Sequence, residues 1–288
     1  MTSWRDRLSA LAHERLPAEL AAAWTGLFRP GIRLVSEGDG PPVGRIGGAP
    51  MLPEDVGWPE WPGRGPLDFV AAVDCAALPR EFLSIPLPEA GTLLFFYFDA
   101  ERRAADDIPE FGDVEAARVV FVPAGVPVTE RAAPEGVDPY PARDLFGKVE
   151  ATAPKSYHAL LDETKTARGE TLAEAAEKVL LRGSYTGDAV FGLLVRQVHP
   201  EGPHHQVGGF ADPVQTAVEK EVAREVLGDH RDSRLLEEAA RWVFLAQIDS
   251  DEAADMMWGD AGMLYWMIRS DDLEAGRFDR ARCILQCC

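Results

Sequence analysis

Apolar positions at the start of the chain recur at helical spacing, and further along they gather into short runs that suit strands. Leu8, Leu11 and Ala12 share one face, and a second segment opens at Pro17, a residue suited to a first helical turn, and runs to about Phe28. Beyond it, "GTLLFFYFD" (91–99) and "ARVVFVP" (117–123) are the clearest strands of the first half, set between Pro/Gly-rich loops. "TLAEAAEKVLLRG" places Thr171 and Glu174 at capping-box spacing and closes on Gly183, which predicts a helix. A second helix is predicted over 212–228, with Val218, Val222 and Val226 on one stripe and Gly228 after its end. The last stretch alternates between a strand "WVFLAQI", a strand "GMLYWMI", a short helix begun by Ser270 and a strand "ARCILQC".

The two ends of the chain carry the same series of segments. "RIGGAPMLP" (45–53) matches "QVGGFADPV" (206–214), and "LDFVAAVDCAALP" (67–79) matches "WVFLAQIDSDEAA" (242–254). "AGTLLFFYF" (90–98) then matches "AGMLYWMIR" (261–269), and "ARVVFVP" matches "ARCILQC" (281–287). Four matches in one order, at similar separations, point to an internal duplication. The expected organisation is a single domain over 1–288 with a helical segment at 1–30, repeat one at about 31–125 and repeat two at about 190–288. Strands grouped apart from helices favour an α+β fold with mainly antiparallel sheets, and helices at the N-terminus, in the middle and inserted in the second half.

Composition narrows the partners. The chain has 288 residues, 46% of them apolar, enough to bury one large core. With 29 basic and 48 acidic residues the net charge is −19, which disfavours nucleic acids and anionic membranes and suits a basic protein partner, a divalent cation or solubility alone. The first residues have no apolar region followed by a small-residue cleavage site, and no apolar run is long enough to span a bilayer. With four cysteines and no Cys-x-x-Cys pair, a reduced, cytoplasmic setting is expected.

Candidate chemistry is sparse. "QIDSDEAADMMWGDAGMLYWMI" (247–268) sets Asp249, Asp251 and Asp260 at positions 1, 3 and 12 of a calcium-loop pattern. Ala253 and Ala254 break that pattern, so a divalent cation would need an irregular cage of Asp249, Asp251, Glu252 and Asp260. The plainer reading is a strand end and an acidic turn, with Met257 and Trp258 tucked into the core. In "HHQVGGFADPVQ" (204–215), Asp212, Pro213 and Gln215 suit the start of the predicted helix. Adjacent histidines on an extended segment face opposite ways, so His204 and His205 cannot both ligate one ion without a bend; His205, with His199 nearby, remains a candidate pocket residue. Trp58 and Trp61, in the long Pro/Gly loop 48–66, either line a groove or cover a sheet. "RGSYTG" (182–187) reads as a helix stop and turn, and "CILQCC" at 283–288 as ordinary thiols. Neither a Gly-x-Ser-x-Gly elbow nor a phosphate-binding Gly-rich loop occurs.

"GGAPMLPEDVGWP", "LDFVAAVD", "GTLLFFYFD", "HHQVGGFADPVQ" and above all the closing 247–268 stretch with "RFDRARCILQC" resemble the YwqG-like bacterial proteins, from about residue 30 to the C-terminus. That resemblance implies a soluble α+β protein with a repeated unit, and brings no established activity, cofactor or catalytic residue. Two functions stay open. One is a non-enzymatic interaction protein that neutralises a basic protein, such as a toxin domain. The other is an enzyme, small-ligand or metal binder with a cleft between the repeats, built from Asp74, Asp249, Gln247, His205 and a tryptophan among Trp58, Trp61 and Trp258.

Overall fold

The structure is a computed structural model that describes all residues except 1–3, 104–113, 156, 180–188, 199–201, 230 and 288. Gly183, the "RGSYTG" turn, His199 and Cys288 lie outside the described residues. Ten strands form one sheet: β1 (Arg29–Val35), β2 (Gly44–Ile46), β3 (Asp68–Asp74), β4 (Thr92–Tyr97), β5 (Ala117–Val122), β6 (Arg143–Thr152), β7 (Gln206–Val207), β8 (Trp242–Asp249), β9 (Met263–Arg269) and β10 (Arg282–Gln286). The helices are α1 (Trp4–Arg15), α2 (Ala18–Thr25), α3 (Ala159–Glu163), α4 (Leu172–Glu177), α5 (Ala189–Val198), α6 (Val218–Leu227), α7 (Leu235–Ala239) and α8 (Ser270–Glu274). None of the described helices is long and apolar enough to cross a membrane.

The sheet order is β10-β9-β8-β7-β1-β6-β2-β3-β4-β5, and every pairing is antiparallel. β1 and β6 pair at its centre from Arg29↔Thr152 to Val35↔Phe146, and the order reads alike in both directions from there. Local detail is matched too. The β3–β4 register shifts between Phe69 and Ala71, and the β8–β9 register shifts between Phe244 and Ala246. Each bulge sends two consecutive residues inward, Val70 and Ala71 in one half, Leu245 and Ala246 in the other. Gly47 and Gly48 have φ of +66° and +75°, and Gly208 and Gly209 have +63° and +76°, a conformation that glycine adopts without a Cβ penalty.

The edges β5 and β10 approach each other around a 3-10 turn, Phe278–Arg280, so the sheet curls nearly into a barrel. Its inner face is filled from both halves: Phe95 meets Trp266 at 5.0 Å between ring centroids, and Phe121 meets Phe278 at 5.2 Å. Each large apolar side chain buried in this way contributes about 1.5–3 kcal/mol. The outer face of the first half is covered by the 50–66 loop. There Trp58 and Trp61 stand edge-on to Phe96 and Phe98, and the Trp58 indole N–H donates to the Leu67 carbonyl at 2.8 Å. The outer face of the second half is covered by α6, whose buried Val218 and Val222 pack on Phe244, Tyr265 and Met267. A separate cluster joins α1, α2 and α5, with Trp24 stacked on Phe191 at 4.7 Å.

Three expectations need correcting. The helix expected from Thr171 to a close at Gly183 ends already at Glu177, with Lys178 as its C-cap. The helix expected over 212–228 begins only at Val218, because Asp212–Thr216 is an irregular, bent stretch with its main-chain groups held by side chains of β8, β9 and β10. Tertiary bonds override the capping-like sequence there, and Asp212, Pro213 and Gln215 cap nothing. Met257 is 52% exposed; its neighbour Met256 is the buried methionine. The capping box of Thr171 and Glu174 is present in full at the start of α4.

Candidate functional site

The chemistry-bearing residues that come together do so around β7, a two-residue strand wedged between β1 and β8. "HHQVGG" folds this way because Gly208 and Gly209 turn the chain immediately after Val207, and Gln206 fastens that turn by donating to the Gly208 and Phe210 carbonyls. The extended backbone before the turn sends His204 and His205 to opposite sides, where each meets a different carboxylate.

His204 Nδ1 lies 3.1 Å from Asp212 Oδ2, and the other oxygen of Asp212 forms an ion pair with Lys155. The Lys155 side chain is 6% exposed. Burial, with Arg196 acting in the same direction, pulls its ammonium down to about 7, while Asp212 is its direct counter-charge. Gln247, fully buried, ties together the segments before and after β7: its Oε1 accepts the Asp212 N–H at 2.9 Å and its Nε2 donates to the His204 carbonyl at 2.7 Å.

His205 is 3% exposed. The Asp249 main-chain N–H donates to its Nδ1 at 3.1 Å, so the ring proton sits on Nε2, which faces Asp251 Oδ2 at 3.4 Å. Asp251 also accepts the Ala253 N–H and closes the 3-10 turn Glu252–Ala254. The bond to His205, and after it the N–H groups of the turn, hold the Asp251 carboxyl below its ordinary range against the effect of burial. Asp249 accepts the His204 N–H at 2.8 Å; burial raises its carboxyl against that bond and the nearby charge of Arg33. A cavity of about 210 Å³ opens here, lined by Arg33, Glu37, Arg143, His205 and Asp251. Arg33 donates to the Pro203 carbonyl at 3.0 Å and lies 3.8 Å from Glu150.

Chemically, this arrangement orients side chains and fixes turns. A general base needs a free lone pair within reach of a substrate proton. The His205 lone pair is occupied by Asp249, and its N–H points at Asp251.

The remaining sequence candidates separate. Asp74 is exposed at the end of β3, accepts the Ala76 N–H at 2.9 Å and lines a different cavity, so it does not converge with Asp249 and His205. Glu252 and Asp260 are exposed, and among the described residues no three His, Cys, Asp or Glu side chains are grouped to hold a metal ion. Trp258 is 1% exposed and stands edge-on to Tyr97 and Tyr140, both at 5.8 Å. Cys75 is buried, which pushes its thiol up to about 11 and makes it a poor nucleophile. Sequence reasoning missed Lys155, Arg33, Tyr265 and Gln286. For Gln247, Tyr265 and Gln286 a signal existed, since each is a polar group inside an apolar run and such a group is buried only with partners.

The family model described as "Domain of unknown function (DUF1963)" matches residues 44–287. No curated protein matches. The matched region holds nine of the ten sheet strands, every one after β1, together with the His204–His205 segment and the acidic loop. The chain belongs to the DUF1963 family, a domain of unknown function.

Proposed function

We propose that the protein works by binding, and that it holds and neutralises a basic protein through the loop between β8 and β9. The observation that carries this reading is the build of that loop: Met257 stands exposed at its tip while Trp258 beside it is locked into the core. Asp255 and Ala261 hold left-handed backbone angles, φ +54° and +50°, and Ser250 ties the loop by accepting the Trp258 N–H and donating to the Gly262 carbonyl. A side chain presented on a loop that is already ordered loses little freedom on binding. Glu252 and Asp260 flank Met257 in sequence, with Asp255 already paired to Arg102, and the net charge of −19 favours the approach of cationic partners.

Within the DUF1963 family we read the chain as YwqG-like, and we read its halves as copies of one unit. The mirrored strand order and the matched bulges support the second of these. A cytoplasmic setting fits the free thiols of Cys75, Cys283 and Cys287. The enzymatic reading has no comparable support, since both His205 ring nitrogens are engaged.

The test is titration calorimetry against the products of neighbouring genes, taken singly. A basic partner that binds the wild type and weakens at least tenfold with Met257→Lys, at unchanged Tm, supports the reading. Binding that ignores Met257→Lys, or that persists undiminished at high salt, sinks it.

A further inference from the structure

In the second half, three outward-facing side chains bind a stretch of the chain itself. Gln247 accepts the Asp212 N–H, Tyr265 donates to the Asp212 carbonyl and accepts the Val214 N–H, and Gln286 accepts the Gln215 N–H and donates to the Thr216 carbonyl. Asp212–Thr216 therefore lies across β8, β9 and β10 on five polar contacts.

The positions that match these three in the first half follow from register. β3 and β8 align at their bulges, which sets Ala72 against Gln247. Thr92↔Val122 and Met263↔Gln286 are the corresponding pairs of the next strands, which sets Leu94 against Tyr265 and Val122 against Gln286. Ala72, Leu94 and Val122 all line one cavity of about 440 Å³. This volume falls in the range of ligand pockets, roughly 300–1,000 Å³. Met51 and Leu52, the matches of Asp212 and Pro213, pair with Glu130 and Thr129; Leu52 is buried against the same face, and the cavity stays open beside Met51, which lines it.

The floor of this cavity is apolar where its counterpart is polar, so it takes a side chain and not a main-chain ladder. Met51 and Val126, 40% and 38% exposed, extend the apolar surface at its rim. The charged groups of the lining are Asp74, Asp144 and Arg45, and among the described residues none of them forms an ion pair. Two carboxylates against one guanidinium favour a cation.

We propose that this cavity seats an extended segment of a basic protein, an apolar side chain entering over Ala72, Leu94 and Val122 and flanking lysines or arginines meeting Asp74 and Asp144. This rests on the reading of the partner as basic, and adds a second contact surface to the Met257 loop. An apolar anchor in a pocket with a charged rim is a recurrent form of peptide recognition.

The experiment uses the full chain and three fluorescent hexapeptides read by anisotropy: Lys-Lys-Leu-Phe-Lys-Lys, its counterpart with Glu for Lys, and its counterpart with Ser-Ser for Leu-Phe. The first should bind at least tenfold more tightly than the other two. Ala72→Gln, which installs the second half's residue, should weaken it at least tenfold, and Asp74→Asn with Asp144→Asn should weaken it severalfold and flatten its salt dependence. The exposed Asp pair keeps the test open where Ala72→Gln does not fold. Absence of binding at millimolar peptide, binding indifferent to these variants, or equal binding of the Glu peptide, as an apolar small-ligand pocket would give, overturns the proposal. Met257→Lys should leave the peptide bound. Peptide bound at the cavity with no basic protein captured would sink the loop reading alone, and the reverse pattern would sink the cavity alone.

Discussion

Lys155 and Asp212 form an ion pair in which 6% of the lysine side chain reaches solvent, and His204 stands 3.1 Å from the second carboxylate oxygen. Breaking a buried pair by removing one partner leaves a charge without compensation, at a cost of about 3–5 kcal/mol. Lys155→Met should lower the urea midpoint accordingly at unchanged m-value, and Lys155→Met with Asp212→Leu should recover much of the loss. A single variant as stable as the wild type would show the pair to be incidental.

Gln247 serves two main-chain groups from a fully buried position. Gln247→Ala leaves the Asp212 N–H and the His204 carbonyl without it, each worth about 1–3 kcal/mol when buried and unsatisfied. Amide exchange at Asp212 should accelerate sharply. Gln247→Glu keeps the acceptor and loses the donor, so it should protect that amide while still destabilising the protein.

Stability in acid should report the Asp251–His205 contact. The folded carboxyl of Asp251 lies below its unfolded value, with the His205 bond as the first cause. Its contribution is therefore complete above the unfolded carboxylate pKa of about 4 and is lost as pH falls through the lower, folded value. Asp251→Asn should reduce stability at neutral pH and make the profile below about pH 4 shallower, measured by denaturation at successive pH values. An unchanged acid limb would mean that the bond does not hold in solution.

Adjacent residues in the acidic loop should behave in opposite ways. Trp258→Ala removes a fully buried ring and should cost about 3–5 kcal/mol with loss of near-ultraviolet circular dichroism. Met257→Ala, at an exposed site, should stay within about 0.5 kcal/mol of the wild type.

β4, β5, β8, β9 and β10 were legible in the sequence because each is an apolar run closed by turn residues. β6 was not: its burial pattern alternates poorly, with Leu145 and Thr152 its only buried residues, and its ladder comes from β1 and β2, far away in the chain. β2 and β7 are three and two residues long, too short for any periodicity to show. The site suffered for the same reason. His205 and Asp249 were singled out from their residue types, but Lys155 reaches Asp212 only through the folding of separate segments, and a one-residue change of register would have paired the histidines differently. Met257 and Met256 could not be told apart, since the irregular loop has no period from which to assign a face.

The central crossing of β1 and β6 has a consequence for handling the molecule. β1 lies beside β7, and β6 beside β2, so each side of the sheet borrows its inner neighbour from the other end of the chain. A protease cut or truncation in the stretch between β5 and β6 that separated the pieces would free β1 from β6 and β2 from β6 together, baring main-chain donors and acceptors beside Ile32, Leu34 and Ile46, all now fully buried. Exposed edges of that kind recruit other chains, and the expected product of splitting this protein is an aggregate, with neither piece surviving as a folded fragment.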